Sequence, residues 1–231
     1  MPEIKADKRL QHIAFIMDGN GRWAKRRGMP REFGHKFGAE TFKKITEYCV
    51  DIGIPHVTVY AFSTENWKRP AQEVNALIGL FGDYLTDALT RFREKDIRIV
   101  FLGDKHVFGA KTEERMCCLE EKTKDRHNIL NIALNYGGRD EILHAVNSLL
   151  AEGKTKITEA DISRKLYTAS SPDPDLIVRT GAEMRLSNFL TWQSVYSELY
   201  FSDTLWPDFT EHDVDLAVEE FYHRKRRFGG V

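Results

Sequence analysis

The stretch His12-Ile13-Ala14-Phe15-Ile16-Met17-Asp18-Gly19-Asn20-Gly21-Arg22-Trp23 changes character at Asp18. Before it lies a short, uncharged run with the β-branched and aromatic content of a strand. After it, two glycines free the backbone for a tight turn, and a helical turn follows. The same alternation continues along the chain. Strands are expected at 12–17, 56–63, 97–102, 129–134 and 176–179, with a weaker one at 198–201. Helical periodicity falls between them, near 35–53, 72–94, 104–126, 138–152, 158–167 and 211–227. Strands separated by crossover helices imply an α/β fold with a mostly parallel central sheet flanked by helices. In such sheets ligands bind beyond the carboxyl ends of the strands, which is where Asp18 sits.

Composition narrows the class. At 231 residues, with no internal repeat or low-complexity linker, the chain reads as one domain over 1–231, with 1–11 expected to be flexible. Lys and Arg number 34 against 35 Asp and Glu, so the net charge of −1 draws the protein to no nucleic acid and any basic site must be local. No apolar run reaches the length of a membrane span. The three cysteines, Cys49, Cys117 and Cys118, have no metal spacing and form an odd set, which favours a reducing cytoplasmic location.

Four segments carry candidate chemistry. Between Arg22 and Lys36 stand six basic residues against the single acid Glu32. Together with the N–H groups after Gly19 and Gly21 they form a phosphate-binding pattern, and Asp18 could hold magnesium shared with phosphate oxygens. The second strand runs into Ser63-Thr64-Glu65-Asn66-Trp67-Lys68-Arg69-Pro70, a polar connection that could cap the next helix or close over a ligand. The fifth runs into Arg179, with Arg185, Leu186 and Ser187 just beyond it, and the two arginines could converge on a second phosphate. Glu198 is an acid among aromatic neighbours, suited to solvent, a metal or a cation. In the helix at 72–94, Leu77, Leu80, Phe81, Tyr84, Leu85, Ala88, Leu89 and Phe92 form one apolar stripe, either core or the wall of a tunnel.

Five stretches, His12 to Ala24, Phe33-Gly34-His35, Tyr60 to Pro70, Asn135 to Arg139 and Ser197 to Phe201, resemble the cis-prenyltransferases, in order and over nearly the whole chain. The resemblance implies a homodimer with a hydrophobic tunnel, and Mg²⁺-dependent condensation of farnesyl diphosphate with successive isopentenyl diphosphates. The implied product is a long-chain polyprenyl diphosphate, undecaprenyl by default, with transient membrane contact on release. By matching position, Asp18 resembles the catalytic, magnesium-binding aspartate, and Gly19, Asn20, Gly21, Arg22, Trp23, Arg31 and His35 the allylic diphosphate pocket. Ser63, Thr64, Glu65, Trp67 and Arg69 match the loop that assists isopentenyl diphosphate; Arg179, Arg185, Leu186 and Ser187 match its phosphate site. Glu198 matches a second metal contact, and Arg227 and Gly229 a tail motif that reaches the neighbouring subunit's site. Asn66 matches the catalytic position assigned as proton acceptor. A neutral amide has no titration near pH 7, so Asn66 is better read as orienting the substrate, whose phosphate oxygens or a water take the proton.

The pattern departs from the family at Ala182, where a glycine is usual; at positive φ this alanine costs about 1 kcal/mol. Met184 stands where some members have histidine. Two alternatives stay open: a shorter-chain synthase, and a non-catalytic accessory subunit.

Overall fold

A computed structural model describes residues 6–7, 9–91 and 96–224. Six strands form one sheet in the order β3-β4-β2-β1-β5-β6: β1 (His12–Ile16), β2 (His56–Ser63), β3 (Ile97–Leu102), β4 (Asn128–Tyr136), β5 (Leu176–Arg179) and β6 (Glu198–Phe201). Every pairing is parallel. The helices are α1 (Asn20–Arg26), α2 (Arg31–Asp51), α3 (Ala71–Arg91), α4 (Ala110–Thr123), α5 (Gly138–Ala151), α6 (Glu159–Lys165) and α7 (Glu211–His223).

The period of two along β1 divides it between two cores. Ile13 and Phe15 join a large cluster with residues of α2, α3, α4 and α7, while Ala14 and Ile16 face a smaller one with Ile177, Phe189 and Leu190. Full burial of an Ile or Phe side chain contributes about 1.5–3 kcal/mol, so the central strand is held from both sides.

Two helices begin elsewhere than their periodicity indicates. α2 starts at Arg31, after Pro30, whose extended backbone at φ −55° and ψ 146° forms the N-cap. α4 starts only at Ala110, since Gly109 at φ 81° breaks the chain after a 3-10 turn at His106–Phe108. Leu10 is fully buried, and the Ala6 and Asp7 amides donate to the Ile52 carbonyl at 2.8 Å and the Tyr222 hydroxyl at 2.7 Å. Cys49 is buried, whereas Cys117 and Cys118 are exposed on α4, and all three are free thiols. Among the described residues no helix is long and apolar enough to cross a membrane.

Two local features shape the carboxyl ends of the strands. In β2 the register to β4 slips between Tyr60 and Ser63, a bulge that turns consecutive Ala61 and Phe62 toward the larger core. At Gly34 a Cβ would stand 2.0 Å from the Asn20 carbonyl oxygen, so glycine there lets α2 press against the start of α1.

Candidate active site

The chain lays β2 on one side of β1 and β5 on the other, which makes β1 the switch point of the sheet. Crevices form beyond such points. Register pairs Ile16 with Arg179, and this brings Asp18 and Arg179 together. The buried Thr180 fixes the Asp18 backbone: its hydroxyl accepts from the Asp18 amide at 3.0 Å and donates to the Asp18 carbonyl at 2.7 Å.

Arg179 is only 4% exposed, so its charge needs partners. One terminal nitrogen lies 2.9 Å from Asp18 Oδ2; the other donates to Ser187 Oγ at 2.8 Å and to the Arg185 carbonyl. Its Nε is buried with no partner among the described residues. Arg22 approaches the other Asp18 oxygen at 3.2 Å and Glu183 at 3.8 Å. Gly181, at φ 83°, leaves room for this arginine, since a Cβ there would meet its Nη2 at 2.5 Å. Ala182 follows at φ 61°, the positive φ at which an alanine is strained.

Asp18 and Arg179 line a cavity of about 610 Å³, whereas Arg22, paired to Asp18, is not among its lining residues. Asp18, Gly19, Asn20, Gly21, Arg31 and His35 form one wall. Ser63, Glu65, Asn66 and Arg69 form a second, with Arg179, Arg185 and Ser187 opposite. Burial acts to raise the Glu65 carboxyl, but hydrogen bonds from its own amide, Asn188, Ser63 and Thr64 outweigh it and hold it below the usual carboxylate range. Burial lowers the His35 imidazole, and Arg31 and Arg69 lower it further against the pull of Glu73, so it is neutral at neutral pH.

Glu73, in the first turn of α3, is a site residue that sequence reasoning missed. Its Oε1 lies 2.8 Å from Arg69, 3.3 Å from Arg31 and 3.5 Å from His35. It thus draws three cavity residues from two elements onto one nearly buried carboxylate. The available signals were the Arg69–Glu73 spacing of four and an acid heading an apolar stripe. Asn188 was missed too; it lines the cavity and donates to Glu65 Oε1 at 3.1 Å.

A second, apolar cavity of about 120 Å³ adjoins the first. α3 contributes Leu77, Ile78, Leu80, Phe81 and Tyr84, so the stripe is a cavity wall as well as core. Met17, Asn20, His35, Ala61 and Leu77 line both cavities and form their junction.

Several expected site residues lie elsewhere. Trp23 is buried against Ala24 and Leu205, donates to Asp208 Oδ1 at 2.6 Å and packs on Phe37, so it serves packing and not the cavity. Trp67 donates to Asn135 Oδ1 at 2.7 Å and packs edge-on against Phe62, outside the polar cavity. Thr64 opens a 3-10 turn beside Gly137, and Leu186 packs against the smaller core. The Asn66 side-chain oxygen accepts from the Ser63 amide at 3.1 Å, which commits it to capping that turn. Glu198 is level with Leu176 at the start of β6, at the opposite end of the sheet from Asp18, and pairs with Arg224 at 2.9 Å. One ion cannot be shared by Asp18 and Glu198 of the same chain. Arg227 and Gly229 lie outside the described residues.

A family model described as putative undecaprenyl diphosphate synthase matches residues 16–229. The chain belongs to this prenyltransferase family. An isoprenyl transferase of Fusobacterium nucleatum is 52% identical over 222 residues, covering 96% of each chain. One from Aquifex aeolicus is 46% identical over the same length and coverage. Among solved structures, lavandulyl diphosphate synthase from Lavandula x intermedia, in complex with dimethylallyl diphosphate, matches with a TM-score of 0.91 and 31% identity over 97% of this chain and 100% of that one. A probable undecaprenyl diphosphate synthase from Campylobacter jejuni matches at 0.81 and 35%, covering 96% and 99%. The protein is a prenyl-transferring enzyme.

Proposed function

We propose that the enzyme condenses farnesyl diphosphate with successive isopentenyl diphosphates to a long-chain cis-polyprenyl diphosphate, with undecaprenyl diphosphate as product. The observation that carries this reading is the junction at Ala61, where an arginine-lined polar cavity opens into an apolar one. A substrate with an anionic head and a growing hydrocarbon tail needs both.

Breaking the allylic C–O bond sends its electron pair out with the diphosphate. Arg22, Arg31, Arg69, Arg179 and Arg185 supply positive charge where that negative charge develops. The alkene of isopentenyl diphosphate forms the new C–C bond, and a proton is then lost to a phosphate oxygen or a water. Asn66, tied into its own turn, keeps Ser63 and Glu65 facing the cavity.

The residues present fit magnesium. Asp18 is 32% exposed and lines the cavity, with its hard oxygens flanked by Arg179 and Arg22, and magnesium takes one or two carboxylates with phosphates and waters completing its shell. Bound there, the ion would neutralise charge on the departing diphosphate. Glu198 is left out of this reading.

A homodimer is supported by β6 being an edge strand preceded by exposed Val195 and Tyr196, an apolar edge that a second copy would cover. Arg227 and Gly229 would then complete the partner's site. The small apolar cavity favours a shorter product as the second reading, unless α2 and α3 part as the chain grows. An accessory role is disfavoured because Asp18 and its arginines are assembled around an open cavity.

Asp18→Asn tests the site. Removing one stabiliser of developing charge lowers turnover by about 10²-fold or more. The amide keeps a contact for Arg179, whereas Asp18→Ala would leave that buried cation unpaired and cost stability as well. Near-normal turnover of the folded Asn variant at saturating magnesium would refute the assignment.

A further inference from the structure

Helix α2 carries two half-exposed aromatic side chains that line neither cavity. Gly34, Gly38, Phe42 and Ile45 are buried toward the fold, and His35, Ala39 and Phe42 line the apolar cavity. Phe33 and Phe37, four residues apart and so on one helical face, lie on the other side, 48% and 46% exposed. Met29, in the turn between α1 and α2, is 40% exposed. The Phe37 ring lies 4.8 Å from that of Trp23, which ties this face to α1 and makes the hairpin one surface.

The same hairpin concentrates positive charge. From Lys25 to Lys36 there are five cations and one acid, in a chain of net charge −1. Arg27 stacks on Trp23 and pairs with Asp208, and Arg31 lines the diphosphate cavity beside Glu73. Lys25, Arg26 and Lys36 are exposed, line no cavity, and have no carboxylate partner among the described residues. The nearby acids are occupied, Glu32 by Gln72 and Glu40 by Lys43. Neither the core nor the diphosphate site therefore accounts for these aromatics and free cations.

Exposed aromatic rings beside unpaired cations are the chemistry of shallow insertion into an anionic bilayer. We propose that the α1–α2 hairpin is the enzyme's docking surface for anionic lipid. Phe33 and Phe37 enter the acyl boundary, while Lys25, Arg26 and Lys36 meet the headgroups. The proposal rests on the preceding reading for its purpose: docking sets the cavity-lining helix against the bilayer that receives a polyprenyl product, about 10 Å (one helix diameter) away.

The test is flotation of the full chain, without substrates, on vesicles of phosphatidylglycerol mixed with phosphatidylcholine and on phosphatidylcholine alone. Wild type should float with the anionic vesicles, weakly with the neutral ones, and less as salt rises. The triple variant Lys25→Gln/Arg26→Gln/Lys36→Gln should lose roughly 10²-fold in partitioning, at about fivefold per cation near the surface. Phe33→Ser/Phe37→Ser should lose about tenfold or more and keep wild-type turnover on substrates in solution. Wild type that ignores anionic vesicles, or variants that float as it does, would overturn the proposal. A change in oligomeric state of the Phe variant with flotation unchanged would assign the face to a second copy instead. A chain that floats as expected yet makes no prenyl product sinks the functional reading and leaves the docking surface standing.

Discussion

Substituting Ala61 tests how the polar and apolar cavities communicate. Ala61 sits in the β2 bulge and lines both spaces. Leucine adds three carbons. At roughly the 30 Å³ that a water occupies for each, the addition is about 90 Å³. That is most of the 120 Å³ apolar cavity. Close-packed surroundings yield only partly to such an insertion, at a cost of about 1–3 kcal/mol where they must move. The arginines proposed to hold the diphosphates, Arg179, Arg31 and Arg69, line the polar cavity and not the apolar one, so Ala61→Leu should bind substrates and perform the first condensations at near wild-type rates. It should stop early. Chromatography of dephosphorylated products from labelled isopentenyl diphosphate should show a shift to short chains, while Ala61→Ser, which adds one atom, should leave the distribution unchanged. An unaltered product distribution from a folded Ala61→Leu enzyme would refute the route through Ala61.

Two further outcomes follow from backbone and titration chemistry. Burial holds His12 at about 4, below its ordinary 6.5, with its ring hydrogen-bonded to the Pro172 carbonyl and Thr58 Oγ1 at 2.6 Å each. Its folded-state value lies below the unfolded one, so its contribution, about 3 kcal/mol, is present above pH 6.5 and lost as pH falls toward 4. Urea midpoints should decline over that window more steeply for wild type than for His12→Asn, and equal slopes would contradict the assignment. Ala182→Gly should relieve about 1 kcal/mol of positive-φ strain and lose about half of that to unfolded-chain entropy. The melting temperature should rise by roughly 1–2 °C with activity unchanged; a lower melting temperature would show that the alanine side chain packs usefully.

How much of this was legible in the sequence depends on the range of the interactions. All six strands can be read because their apolar runs are local, and the rule that ligands bind beyond the carboxyl ends of strands points to Asp18 and Arg179 from sequence. Side-chain direction was not local. Trp23 shares a motif with Arg22, yet one step along α1 turns it away into packing around Leu205. Glu198 belongs to a motif of the family, but parallel register carries it to the far end of the sheet. The bulge that opens β2 at Ala61 leaves no mark in composition, since it depends on pairing with β4. Glu73 stands in the first turn of a helix, where an acid is ordinary. Its role emerges only when α2 and the β2–α3 connection bring Arg31, His35 and Arg69 to it.

The central claim is that two adjoining cavities extend an allylic diphosphate. It is tested most directly by incubating the purified chain with labelled isopentenyl diphosphate, farnesyl diphosphate and magnesium, then extracting lipid and sizing the chains. The account predicts solvent-extractable label in polyprenyl chains far longer than the primer, abolished by chelating the metal. Label that stays wholly in the aqueous phase, with folded protein and both substrates saturating, would contradict it.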